Sequence, residues 1–136
     1  MLSVEGCEYF DKGSHRHIYI NPEEPTMVLK HAVTDVAKKG SQAEHKIWLA
    51  VMEIPELRQW FNPVVSMNPD GSVLKMHKIE RATPADKPLF PMQEWMTDAG
   101  WKNWGRNQAG NFVLLDYGSP EMYHRVRKII MKEYAK

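Results

Sequence analysis

Five polar residues stand in or at the ends of the apolar runs of this chain, and their types are the ones that carry chemistry. Lys30 is a single cation inside the run Thr26 to Ala32 (TMVLKHA). Glu44 falls in the next helical stretch, Asp98 and Asn103 lie five apart in a loop, and Asp116 closes the run Asn111 to Asp116 (NFVLLD) just before Tyr117-Gly118. Each has a plain structural explanation taken singly. A lone strand lysine faces solvent, a Glu three places after Ser41 completes a capping box, and Asp or Asn in a loop forms turns. Their order along the chain carries more information than any one of them.

These residues need elements to hold them. Residues 7–20 (CEYFDKGSHRHIYI) predict two short strands around a turn at Lys12-Gly13-Ser14. Asn21-Pro22-Glu23-Glu24-Pro25 is a second turn, since two prolines cannot continue a ladder, and Thr26 to Ala32 predicts a third strand. A helix follows, with Ser41 as N-cap candidate and Ala43, Ile47, Val51 and Ile54 at helical spacing. The stretch from Thr34 belongs to that helix only if Gly40 is tolerated, and Pro55 is expected to end it. Val64 to Met67, the turn Asn68-Pro69-Asp70-Gly71 and Ser72 to Ile79 give a hairpin. The proline-rich stretch 82–91 predicts a linker, Met92–Met96 a short helix, and 98–111 a Gly- and Asn-rich loop. The last element is a helix capped by Ser119 with Pro120 at its first position, and its apolar stripe is Met122, Val126, Ile129, Ile130 and Tyr134.

In this order the residues resemble the protein-kinase-like superfamily. Val28-Leu29-Lys30 is similar to the third-strand lysine motif, and Glu44 to the acid of the family's helix C. Asp98-Ala-Gly-Trp-Lys-Asn103 has the catalytic-loop spacing Asp-x4-Asn, and Asp116-Tyr117-Gly118 resembles the metal-binding Asp-Phe-Gly with Tyr for Phe. Gly13-Ser14-His15-Arg16-His17-Ile18 resembles a degenerate glycine-rich loop, and Ile79-Glu80-Arg81-Ala82 falls where the hinge between lobes would lie. The resemblance covers roughly residues 8–118 and is nearest to the compact kinase-like proteins met in bacteriophages. It implies an α+β fold: a kinase-like N-lobe of five antiparallel strands plus one helix, with a strongly reduced C-lobe. The single domain 1–136 would divide into a sheet-plus-helix lobe over 1–81, a hinge over 82–91 and a minimal second lobe over 92–136.

The same resemblance implies ATP and Mg²⁺ as cofactors. Lys30 would hold the α- and β-phosphates with Glu44 keeping its ammonium in place, and Asp98 would take or orient the acceptor's proton. Asn103 and Asp116 would hold Mg²⁺, a hard cation that wants oxygen ligands, and positioning and charge would carry phosphoryl transfer. Gly13, Ser14, Arg16, Ile18, Lys30, Glu80 and Ala82 would contact the nucleotide.

Departures from the family pattern bear on function. Of three expected loop glycines only Gly13 aligns, with Asp11 and Arg16 in the outer two places, and Met96-Thr97-Asp98 lacks the usual His and Arg. Only 18 residues follow Gly118, which leaves no room for an activation segment and a large helical lobe. Two functions follow. One is a minimal ATP- and Mg²⁺-dependent phosphotransferase of unknown acceptor. The alternative is a catalytically inactive kinase-like (pseudokinase) binding or regulatory module, acting on a host protein partner if the chain is phage-encoded.

Other candidates are weaker. His15 and His17 flank Arg16 and would reach phosphates, yet alternation in a strand more often means one exposed face. Trp95, Trp101 and Trp104 surround the loop and fit a small core better than base stacking. The basic stretch 124–132 (HRVRKIIMK) reads as a solvated helix face. Six His without tight Cys, Asp or Glu spacing point to no metal beyond Mg²⁺.

Composition bounds these readings. The 136 residues carry a formal charge of +1, with 43% hydrophobic and 26% charged residues, so one folded domain is expected. A near-zero charge argues against a nucleic-acid coat. The single Cys7 excludes an internal disulfide, and no apolar run approaches the ~20 residues of a membrane span. The expected setting is cytoplasmic, or the host cytoplasm for a phage protein. Apolar surface left bare where a larger lobe would pack is open to a second copy of the chain.

Overall fold

The computed structural model describes residues 1–13, 15–96 and 100–135. Five short strands form one antiparallel sheet: β1 (Glu8–Lys12), β2 (His17–Ile20), β3 (Met27–His31), β4 (Val64–Met67) and β5 (Val73–His77), in the spatial order β1-β2-β3-β5-β4. The insertion of β5 between β3 and β4 puts a helix-length connection between β3 and β4. That connection is α1 (Asp35–Val51), followed by the single turn α2 (Pro55–Arg58). Register fixes which side chains face inward. Ile18 pairs with Lys30, Lys30 with Leu74 and Val28 with Met76, so these five residues share one face of the pleat. The α1 residues Ile47, Trp48 and Val51 join Val28, Leu74 and Met76 in the core.

The start of α1 corrects the expected cap. Thr34 closes the N-terminus, its hydroxyl accepting from the Ala37 N–H at 3.1 Å, and the helix runs straight through Gly40 and Ser41. Ser41 is fully buried within the helix and caps nothing. Pro55 likewise does not end α1, which stops at Val51, but opens α2, where its missing N–H has no intrahelical partner to lose. The β4–β5 hairpin turns as expected on Gly71, at φ +80°.

A second, three-stranded sheet is built from β6 (Glu80–Arg81), β7 (Trp104–Arg106) and β8 (Phe112–Leu114) in that order. The loop expected over 98–111 therefore contains a strand. At three residues it is too short to show a period, and it needs Gly105, where a Cβ would meet Leu115, Glu80 and Ile79. No helix forms over 92–96; the 3-10 segment of this region lies earlier, at Pro84–Leu89. The chain ends on α3 (Pro120–Ile129), capped by Ser119 through the Met122 N–H, and continues as a π-turn over Ile130–Tyr134. Met122 and Val126 bury its stripe, and α3 packs along α1.

One continuous cluster of buried residues runs from Val28, Ile47 and Leu74 to Trp104, Leu114, Tyr117 and Val126. Phe61 is its pivot. It bridges to Leu114 and meets Tyr117 edge-on at 4.8 Å between ring centroids. Trp104 is fully buried and stacks on Phe90, so this large aromatic fills core space. Among the described residues, no helix is long and apolar enough to cross a membrane.

Candidate functional site

Glu44 is the centre of the site. It lies on the α1 face that also carries Gly40, Ile47 and Val51, a spacing that points one side of a helix at one neighbour. Its side chain is fully buried, where a lone carboxylate would be strongly disfavoured. Three donors compensate. Oε1 accepts from Lys30 Nζ at 3.0 Å and pairs with Arg16 Nη1 at 2.9 Å, while Oε2 accepts from the Tyr117 backbone N–H at 2.7 Å.

Lys30 does not face solvent, although a lone strand lysine usually does. It follows Val28 on the inward face, is 5% exposed, and donates a second hydrogen bond to the Leu115 carbonyl at 2.8 Å. Arg16, at the end of the β1–β2 loop, is buried as deeply. Its Nη1 also donates to Ser41 Oγ at 3.1 Å, and its Nη2 reaches Asp116 Oδ1 at 2.9 Å. Burial alone would depress the guanidinium's affinity for its proton, but Glu44 and Asp116 outweigh it and raise the pKa.

Asp116 is fixed through its backbone as well as its side chain. The Asn103 Oδ1 accepts from its N–H at 2.6 Å, and the Asn103 Nδ2 donates to its carbonyl. The Leu115 N–H in turn donates to the Asn103 carbonyl at 2.8 Å. Burial pushes the Asp116 carboxyl upward, yet the charges of Lys30 and Arg16 prevail and bring it down to about 2. Tyr117, fully enclosed beside Glu44, has its phenol pushed well above 10 by burial and by that carboxylate.

These groups close the inner end of a cleft of about 880 Å³. Ile18 and Val28 give it an apolar wall, residues 77–81 its far edge, and Gly13, Arg16, Lys30, Asn103 and Asp116 its polar end. The β1–β2 loop folds down onto this end. The Gly13 N–H donates to the Arg16 carbonyl at 2.8 Å, and a Cβ on Gly13 would lie 3.7 Å from Asp116 Oδ2. At the opposite edge Asp11 pairs with Arg81 at 2.9 Å, joining β1 to β6.

Of the residues singled out in the sequence, Gly13, Arg16, Ile18, Lys30, Glu80, Asn103 and Asp116 line this one cleft, and Glu44 binds two of them from behind. Asp98 and Ser14 lie outside the described residues. Ala82 does not line the cleft: it is buried, and its N–H donates to the Trp104 carbonyl at 2.9 Å, so β-pairing engages the backbone group a nucleotide would have used. Among the described residues no group of three or more His, Cys, Asp or Glu side chains gathers as a metal cluster.

Sequence reasoning missed Asn62 and the cations of the rim. Asn62 lines the cleft, is 2% exposed, and donates through Nδ2 to the His77 carbonyl at 2.9 Å, while its buried Oδ1 has no hydrogen-bond partner among the described residues. In the sequence it is only the Asn of a Phe-Asn-Pro turn. Lys12, Lys78 and Lys102 also border the cleft, and only the fold could bring three such scattered lysines together. No protein-family model matches the chain, nor does any curated protein sequence.

Proposed function

We propose that the chain is a minimal protein-kinase-like protein, an N-lobe with a strongly reduced second lobe, that binds ATP in this cleft and serves phosphoryl transfer to an acceptor still to be found. One observation carries the reading. Lys30, Asn103 and Asp116, far apart in sequence, meet at one end of one cleft, and Glu44 of α1 pairs with Lys30 from behind at 3.0 Å. The strand order β1-β2-β3-β5-β4 with a helix between β3 and β4 supports the same comparison.

The cleft's chemistry fits a nucleotide. Ile18 and Val28 would cover the flat base. Lys30 and Arg16 would face the phosphates, with Lys12 and Lys102 nearby on the rim. Asp98 would orient the acceptor hydroxyl. Mg²⁺ fits less well than ATP. Asp116 Oδ1 is already paired with Arg16, and both polar atoms of the Asn103 carboxamide bond to the Asp116 backbone.

That pairing favours a second reading, in which the chain is a catalytically inactive kinase-like module that contacts a protein partner. Titration calorimetry of ATP on the wild type and on Lys30→Met tests what both readings share. Binding that Lys30→Met abolishes in a folded protein is expected. Failure of the wild type to bind at millimolar ATP, or equal binding by the variant, overturns the nucleotide site. Incorporation of labelled γ-phosphate, lost in Asp116→Asn, then separates the phosphotransferase from the module.

A further inference from the structure

Arg16 stands where a catalytic cation would be needed. An ammonium and two carboxylates (Lys30, Glu44 and Asp116) sum to one negative charge, a balance that invites a divalent ion. The Arg16 guanidinium brings that sum to zero from within the chain. It is 4% exposed and held by three groups, Ser41 Oγ, Glu44 Oε1 and Asp116 Oδ1, at 2.9–3.1 Å. A charge so enclosed and paired with two carboxylates is a fixed part of the site.

We propose that this guanidinium takes the place of a divalent cation at Asp116, so that the cleft binds the polyphosphate of a nucleotide without metal. The inference rests on the cleft being a nucleotide site. Mg²⁺ demands close octahedral oxygen ligation and parts reluctantly with water. The Asp116 Oδ1 is already hydrogen-bonded to Arg16, which leaves the ion only Oδ2, and an added dication would lie beside a buried guanidinium. A phosphate meets the opposite field. Three of the five N–H donors of Arg16 are engaged, which leaves two for phosphate oxygens, and Lys30 and Lys12 border the same cleft.

The test is ATP titration of the full chain in excess EDTA and in excess MgCl₂ at matched ionic strength. The wild type is expected to bind at least as tightly in EDTA as in Mg²⁺. Arg16→Ala is expected to lose about tenfold or more in EDTA and to recover when Mg²⁺ is added, since Asp116 is then released. Wild-type binding that falls about tenfold or more in EDTA overturns the proposal, whatever the variant does. Binding in neither buffer removes the nucleotide site and this inference with it, whereas Mg²⁺-dependent binding removes the inference alone. Should Arg16→Ala fail to fold, Arg16→Lys replaces it. The shorter point charge keeps the ion pair with Glu44 and is expected to weaken EDTA binding while leaving the melting temperature close to wild type.

Discussion

The backbones of Gly40 and Gly118 lie so close that Gly118 has no room for a side chain and Gly40 has little. A Cβ on Gly118 would collide with the Gly40 carbonyl oxygen and come within 3.1 Å of the Glu44 Cβ, and a Cβ on Gly40 would lie 3.2 Å from the Gly118 carbonyl. This contact presses the segment after Asp116 against α1 and sets the distance at which Glu44 Oε2 meets the Tyr117 N–H. It also explains a glycine in mid-helix, which by itself disfavours the helix by about 1 kcal/mol.

Gly118→Ala is therefore expected to destabilise the fold by about 1–3 kcal/mol, the range of overpacking in a closed core. Gly40→Ala gains helix propensity and meets the looser wall of the two, so a smaller loss is expected. Urea unfolding of both variants checks this. Stabilisation by Gly118→Ala would mean that α1 and the 116–118 segment are not in contact.

That glycine pair shows where the sequence misleads. Ser41 and Glu44 have the spacing of a capping box, and Gly40 just before them reads as a break, so the pattern favours a helix start at Ser41. Both side chains instead point inward to Arg16, and the true cap, Thr34, lies seven residues earlier. The sheet was more legible. The β-rich run TMVLKHA and the Asp70-Gly71 turn are local signals, and the strand and the hairpin both form. Lys30, Glu44, Asn103 and Asp116 could be chosen by their order along the chain. Asn62 could not, because its distinction is an unpaired Oδ1 that exists only once Phe61 and Tyr117 are packed. The strand β7 was hidden for a similar reason: its Gly105 is required by neighbours from β6 and from Leu115.

Tyr117 stands where the resembled motif has Phe, and its hydroxyl has a partner: it donates to the Asn62 carbonyl at 2.8 Å inside the core. Tyr117→Phe would keep the ring against Phe61 and leave that carbonyl without its donor. A loss of about 1–2 kcal/mol is expected in chemical denaturation, with the cleft intact. A neutral result would show that water takes the hydroxyl's place.

Glu44→Gln removes the one charge that Arg16 and Lys30 share. Two buried cations would then face a single carboxylate, and losing one member of such a cluster costs about 3–5 kcal/mol. The loss should exceed that of Lys30→Met, because Arg16 still neutralises Glu44 in that variant. Thermal melts of the two variants side by side test the ranking. Equal melting temperatures would mean that Glu44 is not the hub.

Asp116 gives the fold a defined response to acid. Its carboxyl falls from an ordinary 3.8 to about 2 in the folded chain, because the charges of Lys30 and Arg16 outweigh the effect of burial. The unfolded chain thus takes up the proton first as pH drops. The stabilisation from this group is complete above about pH 4 and disappears as pH falls through about 2, amounting to about 2 kcal/mol for a shift of this size. Asp116→Asn should be less stable than the wild type at neutral pH and should lose less stability between pH 4 and 2. Urea midpoints measured across that interval decide the matter. Parallel curves for the two proteins would place Asp116 outside the ion-pair cluster, and with it Arg16 away from the carboxylate it is proposed to neutralise.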